Sequence, residues 1–151
     1  MQPSREAKKK MLKEVLELDL DQPPISMDDL IVKVLEKFAD FLEKHDAKIY
    51  YLLKAYRVKT INILQVKIVA AFLAYRSLGI KVCTERMIRY LCKDVFNEEE
   101  TQALMSTLHK LGDFKVITVI RTPKIVTGEA YRFLLTSQFL KHIGEFWKSK
   151  Q

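Results

Sequence analysis

Between Lys115 and Thr122 the chain reads Lys-Val-Ile-Thr-Val-Ile-Arg-Thr, β-branched at almost every position. Side chains with two heavy atoms on Cβ lose rotamer freedom in a helix and pack well on a pleated surface, so this run predicts a strand. Pro123 to Gly128 follows as a loop too long for a two-residue turn, and Glu129 to Thr136 returns as a second strand with Tyr131, Phe133 and Leu135 on alternate positions. The longer segments before this hairpin have helical spacing. A chain that makes a late switch from period 3.6 to period 2 must cover one face of a small hairpin with helices, which narrows the folds open to it.

The helices ahead of the hairpin are marked by their caps. Thr84 predicts the N-cap of a helix over Glu85 to Lys93, and Asn97 that of a helix over Glu98 to Leu111, with Gly112 stopping the second. Thr60 or Asn62 caps a helix from about Ile63 to Leu78 that buries Leu64, Ile68, Ala71, Phe72 and Tyr75 and ends at Gly79. Ile80-Lys81-Val82 is a candidate short strand. Further upstream, Ser26-Met27-Asp28-Asp29 has the form of a capping box. Leu30, Ile31, Val34, Leu35, Phe38, Phe41 and Leu42 then keep one helical face, which continues through His45, Ile49, Leu52, Leu53 and Tyr56. The pattern fits one helix of about 30 residues or two bent near Asp46. After the hairpin, Ser137 caps a last helix over Gln138 to Ser149 that carries Phe139, Leu140, Ile143, Phe146 and Trp147.

The expected organisation has four parts. Residues 1–24 form an arm: a basic amphipathic stretch from Ser4 to Leu18, with Met11, Leu12, Val15 and Leu16 at helical spacing, then a linker stiffened by Pro23-Pro24. The arm can dock on the body, engage a partner or stay loose. Residues 25–58 form the long amphipathic segment, 59–137 the helix-and-hairpin unit, and 138–151 the terminal helix. Leu35 and Phe38 on the long helix, with Phe139, Ile143, Phe146 and Trp147 on the last, are the expected interface for a second copy of the chain or for a protein partner.

Charge is distributed unevenly. The net +7 of the 151 residues resolves into −2 over residues 1–45, +8 over 46–93, −4 over 94–114 and +5 over 115–151. Positive charge in the middle and at the C-terminal end is what a surface that meets phosphates requires. Other classes find little support. The longest apolar run, Ile68 to Tyr75, is far short of the ~20 residues of a membrane helix, and no apolar stretch follows the early lysines as in a signal peptide, so a cytoplasmic protein is expected. The arm lacks the Trp or Phe of an interfacial helix. Cys83 and Cys92 are nine apart and His45, His109 and His142 are scattered, so neither a metal site nor a cofactor is expected. No Gly-rich phosphate loop, Gly-x-Ser-x-Gly elbow or His-Glu-x-x-His helix is present, which points away from an enzyme and from a small-molecule substrate.

The order helix, short strand, helix, helix, strand, loop, strand over residues 60–137 resembles the winged-helix (winged helix-turn-helix) superfamily, including small archaeal or viral DNA-binding proteins. The expected fold is therefore mainly α with a small β-hairpin, a winged helix-turn-helix flanked by a long N-terminal helix and a C-terminal helix. The resemblance implies that Glu98 to Leu111 is the recognition helix that enters the major groove of double-stranded DNA, and that Pro123 to Gly128 is the wing. Gln102, Ser106, His109 and Lys110 would then face outward to read bases or hold phosphates, with Arg86, Arg89, Arg121 and Lys124 on the backbone. A transcriptional regulator or architectural DNA binder, plausibly a homodimer, is the expectation that follows. Glu98-Glu99-Glu100 departs from the pattern. These carboxylates suit the helix dipole yet would face phosphates. Either the helix docks by its middle and C-terminal half, or the unit is a non-catalytic interaction module of a nucleic-acid-processing complex.

Overall fold

Twelve of the fifteen residues of helix α2 (Ile63–Ser77) are buried, including every one from Ile68 to Tyr75. A helix apolar on all sides can only exist enclosed, and the other elements enclose this one. The computed structural model describes residues 27–121 and 131–149, and for residues 27, 28 and 145–149 the backbone alone. The other elements are α1 (Met27–Ala55), α3 (Glu85–Cys92), α4 (Glu98–Gln102), α5 (Leu104–Asp113), the strands β1 (Ile117–Arg121) and β2 (Tyr131–Leu135), and α6 (Ser137–Ser149), of which α1, α3 and α5 pack most closely on α2. The described chain is mainly helical with one two-stranded antiparallel hairpin.

Helix α1 is one helix of 29 residues, unbroken at Asp46. Its stripe of Val34, Phe38, Phe41, Ile49, Leu52 and Leu53 packs along α2, while Leu35 stays 38% exposed. The last helix, α6, packs on α1 through Phe139, whose ring meets Tyr56 edge to face at 5.1 Å. His142 adds a contact to the Leu52 carbonyl at 3.3 Å. Phe38, Phe139 and Ile143, expected to await a partner, are thus buried in this chain's own core, because the long and terminal helices share that core with the 59–137 unit. The side chains of Phe146 and Trp147, and the arm with its linker and Ser26, lie outside the described residues.

Three helices end in the same way. After α2, Ile80 N–H donates to the Tyr75 carbonyl and Gly79 N–H to that of Arg76, a Schellman cap with Gly79 at φ 87°. After α1 the pattern recurs with Arg57 at φ 65°, and after α5 with Lys115 at φ 64°. Gly112 therefore does not stop α5, which runs to Asp113. Its reason is closeness: a Cβ on Gly112 would lie 2.8 Å from Val119 Cγ2, so glycine lets β1 close over the helix. Because Lys115 is spent on the cap, β1 starts at Ile117, two residues into the run that begins at Lys115.

In the hairpin, Ile117 pairs with Leu135, Val119 with Phe133 and Arg121 with Tyr131. A third chain segment joins through one residue. Cys83 and Phe133 exchange both backbone hydrogen bonds at 2.8 Å, while Ile80 to Val82 form no strand. Residue Thr136, not Ser137, caps α6: its Oγ1 accepts from Phe139 N–H at 3.0 Å and donates to the Lys115 carbonyl at 2.7 Å. Tyr56 OH donates to that same carbonyl at 3.1 Å.

Candidate nucleic-acid interface

The segment expected to be a single recognition helix is bent. Asn97 accepts from Glu100 N–H and the Glu100 carboxylate accepts from Asn97 N–H, a complete capping box that opens α4. Six residues after Asn97, Ala103 sits at φ −87°, ψ 0° and the axis resets, so α5 starts at Leu104 without a side-chain cap. The bend separates the three glutamates from the rest of the helix. Glu100 is turned inward, where Lys67 Nζ of α2 reaches it at 2.9 and 3.1 Å and also donates to the Val95 carbonyl at 2.7 Å. Burial alone would raise the Glu100 carboxyl, but the Lys67 hydrogen bond, the Asn97 N–H and the Lys67 charge outweigh it and hold the group below its ordinary value. Glu98 and Glu99 remain exposed.

On α5, Leu104, Leu108 and Leu111 are fully buried and Thr107 nearly so. The opposite face carries Ser106, His109 and Lys110, all exposed, with Gln102 exposed at the end of α4. The Ser106 hydroxyl donates to the Ala103 carbonyl at 3.0 Å, which supports the bend and leaves it less available to a ligand. His109 stands edge to face with Tyr131 at 5.2 Å, and Tyr131 is the cross-strand partner of Arg121. Helix α5, β2 and the exposed end of β1 thus meet in one cluster of His109, Tyr131 and Arg121.

Other expected contacts fall elsewhere. Arg89 is engaged: its guanidinium donates to Glu85 at 2.6 and 3.1 Å and to the Thr101 carbonyl at 3.4 Å, so it braces α3 against α4 and would have to leave Glu85 to hold a phosphate. Arg86 is exposed but borders a groove between α1 and α3, among residues not shared with the His109 cluster. Lys124 and the loop Pro123 to Gly128 lie outside the described residues.

A comparison with known proteins finds no matching family model, no matching curated protein and no matching solved structure.

Sequence reading missed part of this surface. A polar cleft beside His109 is lined by Asp113, Lys115, Thr118, Thr136 and Gln138. Lys115 and Thr118 were hidden inside a run that signals only a strand, although alternation along β1, with Ile117 buried and Thr118 exposed, is the signal that finds Thr118. Tyr131, one of the alternating residues of the second strand, is half-buried, with its ring between His109 and Phe133. The two thiols offer little reactivity: Cys83 and Cys92 are buried and free, and burial foremost pushes both up to about 12. Among the described residues no group of three or more His, Cys, Asp or Glu side chains could hold a metal ion, and no helix is long and apolar enough to cross a membrane.

Proposed function

We propose that this protein binds double-stranded DNA as a winged helix-turn-helix, with α2 to α5 as its helical unit and the β1–β2 hairpin as the stem of its wing. The observation that carries this is the Cys83–Phe133 bridge. With it, the elements run helix, one-residue strand, helix, bent helix, strand and strand, the hairpin flanking α5. Lys110 and Arg121 then supply phosphate contacts, and Gln102 and His109 the polar groups for base edges in the major groove. The bend at Ala103 and the Lys67 pairing of Glu100 answer the difficulty of the acidic start, since α5 can enter a groove by its own face while Glu98 and Glu99 stay on the preceding turn. A regulator or an architectural binder fits equally.

The test is fluorescence anisotropy of a labelled random duplex over a series of salt concentrations. The Lys110→Ala/Arg121→Ala variant is expected to bind all duplexes more weakly alike, and its log–log salt slope to shrink by roughly 0.9 for each phosphate left without its cation. Unchanged affinity and slope would remove this face from consideration. A second reading, an interaction module in a nucleic-acid-processing assembly, is favoured by one observation: Arg89, an expected phosphate contact, is held by Glu85 and Thr101 instead.

A further inference from the structure

A trough of about 340 Å³ runs between the start of α1 and α3. Leu30, Ile31 and Val34 form one wall and Met87, Tyr90 and Leu91 the other, so the lining is almost wholly apolar. The one ionic side chain at its border is Arg86. Tyr75 on the floor does not make it polar, because its hydroxyl donates to the Met87 carbonyl at 2.9 Å. Tyr90, in the second wall, stays 43% exposed. Exposed apolar surface framed by polar residues marks a site of contact with another element or molecule.

We propose that the trough is the seat of the chain's own N-terminal segment, with Met11, Leu12, Val15 and Leu16 as the inserted side chains. Four features on that segment fit. It joins α1 at Met27, one turn from the wall residues Leu30 and Ile31, so the tether is short and the effective concentration high. Its apolar residues follow i, i+1, i+4, i+5, the spacing of one helical stripe. Pro23-Pro24 prevents α1 from continuing upstream, and residues 19–26 can span at most ~3.3 Å each, enough to turn the segment back over α3. The segment's Glu14 and Glu17 also suit a border that carries Arg86. The docking is independent of whether the protein binds DNA.

The test uses the full chain carrying Tyr90→Cys as a probe of the trough, labelled with a maleimide at neutral pH. Cys83 and Cys92 stay silent because they are buried. If the segment is docked, adding Leu12→Asp and Val15→Asp accelerates labelling roughly tenfold or more, independent of protein concentration, while Lys9→Asp/Lys13→Asp does not. Oxidation of Leu16→Cys/Tyr90→Cys then yields an intrachain disulfide. Fast labelling that Leu12→Asp/Val15→Asp leaves unchanged overturns the proposal, showing an open trough. An interchain disulfide overturns it in favour of a second copy as the occupant. Circular dichroism on each variant establishes that the helical body is folded.

Discussion

The Lys67–Glu100 pair ties α4 to the central helix, and its loss should cost more than that of a surface ion pair. Both side chains are 12% exposed, and Nζ lies 2.9 Å from Oε1. Glu100→Gln keeps an acceptor for Asn97 N–H but removes the charge, and Lys67→Met keeps the apolar stem that packs near the Phe96 ring. Hydrogen bonds to charged groups contribute ~1.5–3 kcal/mol, and removing one partner of a largely desolvated pair adds the cost of the group left behind. Glu100→Gln should therefore cost about 2 kcal/mol and Lys67→Met about 3 kcal/mol, the latter leaving a nearly buried carboxylate. Together they should cost less than their sum, with a coupling of about 1.5–3 kcal/mol in a urea-denaturation cycle at pH 7. The pair also has a pH signature. Because the folded Glu100 carboxyl is held below its ordinary value, its stabilisation is complete above the unfolded value of about 4.3 and is lost as pH falls through the folded one. Glu100→Gln should lack that component of the acid limb. A coupling below about 0.5 kcal/mol, the size expected of an exposed pair, would refute the reasoning.

Two further substitutions test the end of α5. Lys115→Gly should stabilise by about 0.5–1 kcal/mol in thermal melts, since relief of ~1–2 kcal/mol of left-handed strain exceeds the entropy glycine adds to the unfolded chain; an unchanged or lower Tm would show the cap is not strained. Gly112→Ala gains ~1 kcal/mol of helix propensity yet should still destabilise, by up to about 2 kcal/mol net, because its Cβ meets Val119; in a Val119→Ala background the same change should be neutral or favourable, and equal behaviour in both backgrounds would dismiss the close approach.

What the sequence made legible is what is local. The caps Asn62, Thr84 and Asn97 were readable because a capping bond spans three residues. The long α1 stripe and the hairpin follow from periods of 3.6 and 2. The helix from Ile63 was legible from its cap and apolar spacing, but reading one buried face understated the burial of Val66, Val69, Ala70, Leu73 and Ala74. What stayed hidden depends on partners far along the chain. Gly112 has the identity of a helix stop, and only the approach of Val119 shows it to be a spacer. Arg89 looks like a phosphate ligand until Glu85 and the Thr101 carbonyl come beside it. Three consecutive glutamates look alike, yet Lys67 draws one of them inward. The bend at Ala103 has no composition signature, since alanine is the best helix former.

The bridge between Cys83 and Phe133 has a kinetic consequence. It closes a loop from residue 83 to residue 133 with two backbone hydrogen bonds, whereas α1 and α2 are neighbours in the chain. Loop-closure entropy must be met before so distant a pairing is rewarded, so the helical pair should assemble early and the registration of the hairpin late. On unfolding the order reverses. Amides of Cys83 and Phe133 should exchange with solvent through partial openings, while those of the enclosed helix exchange only when the whole molecule opens.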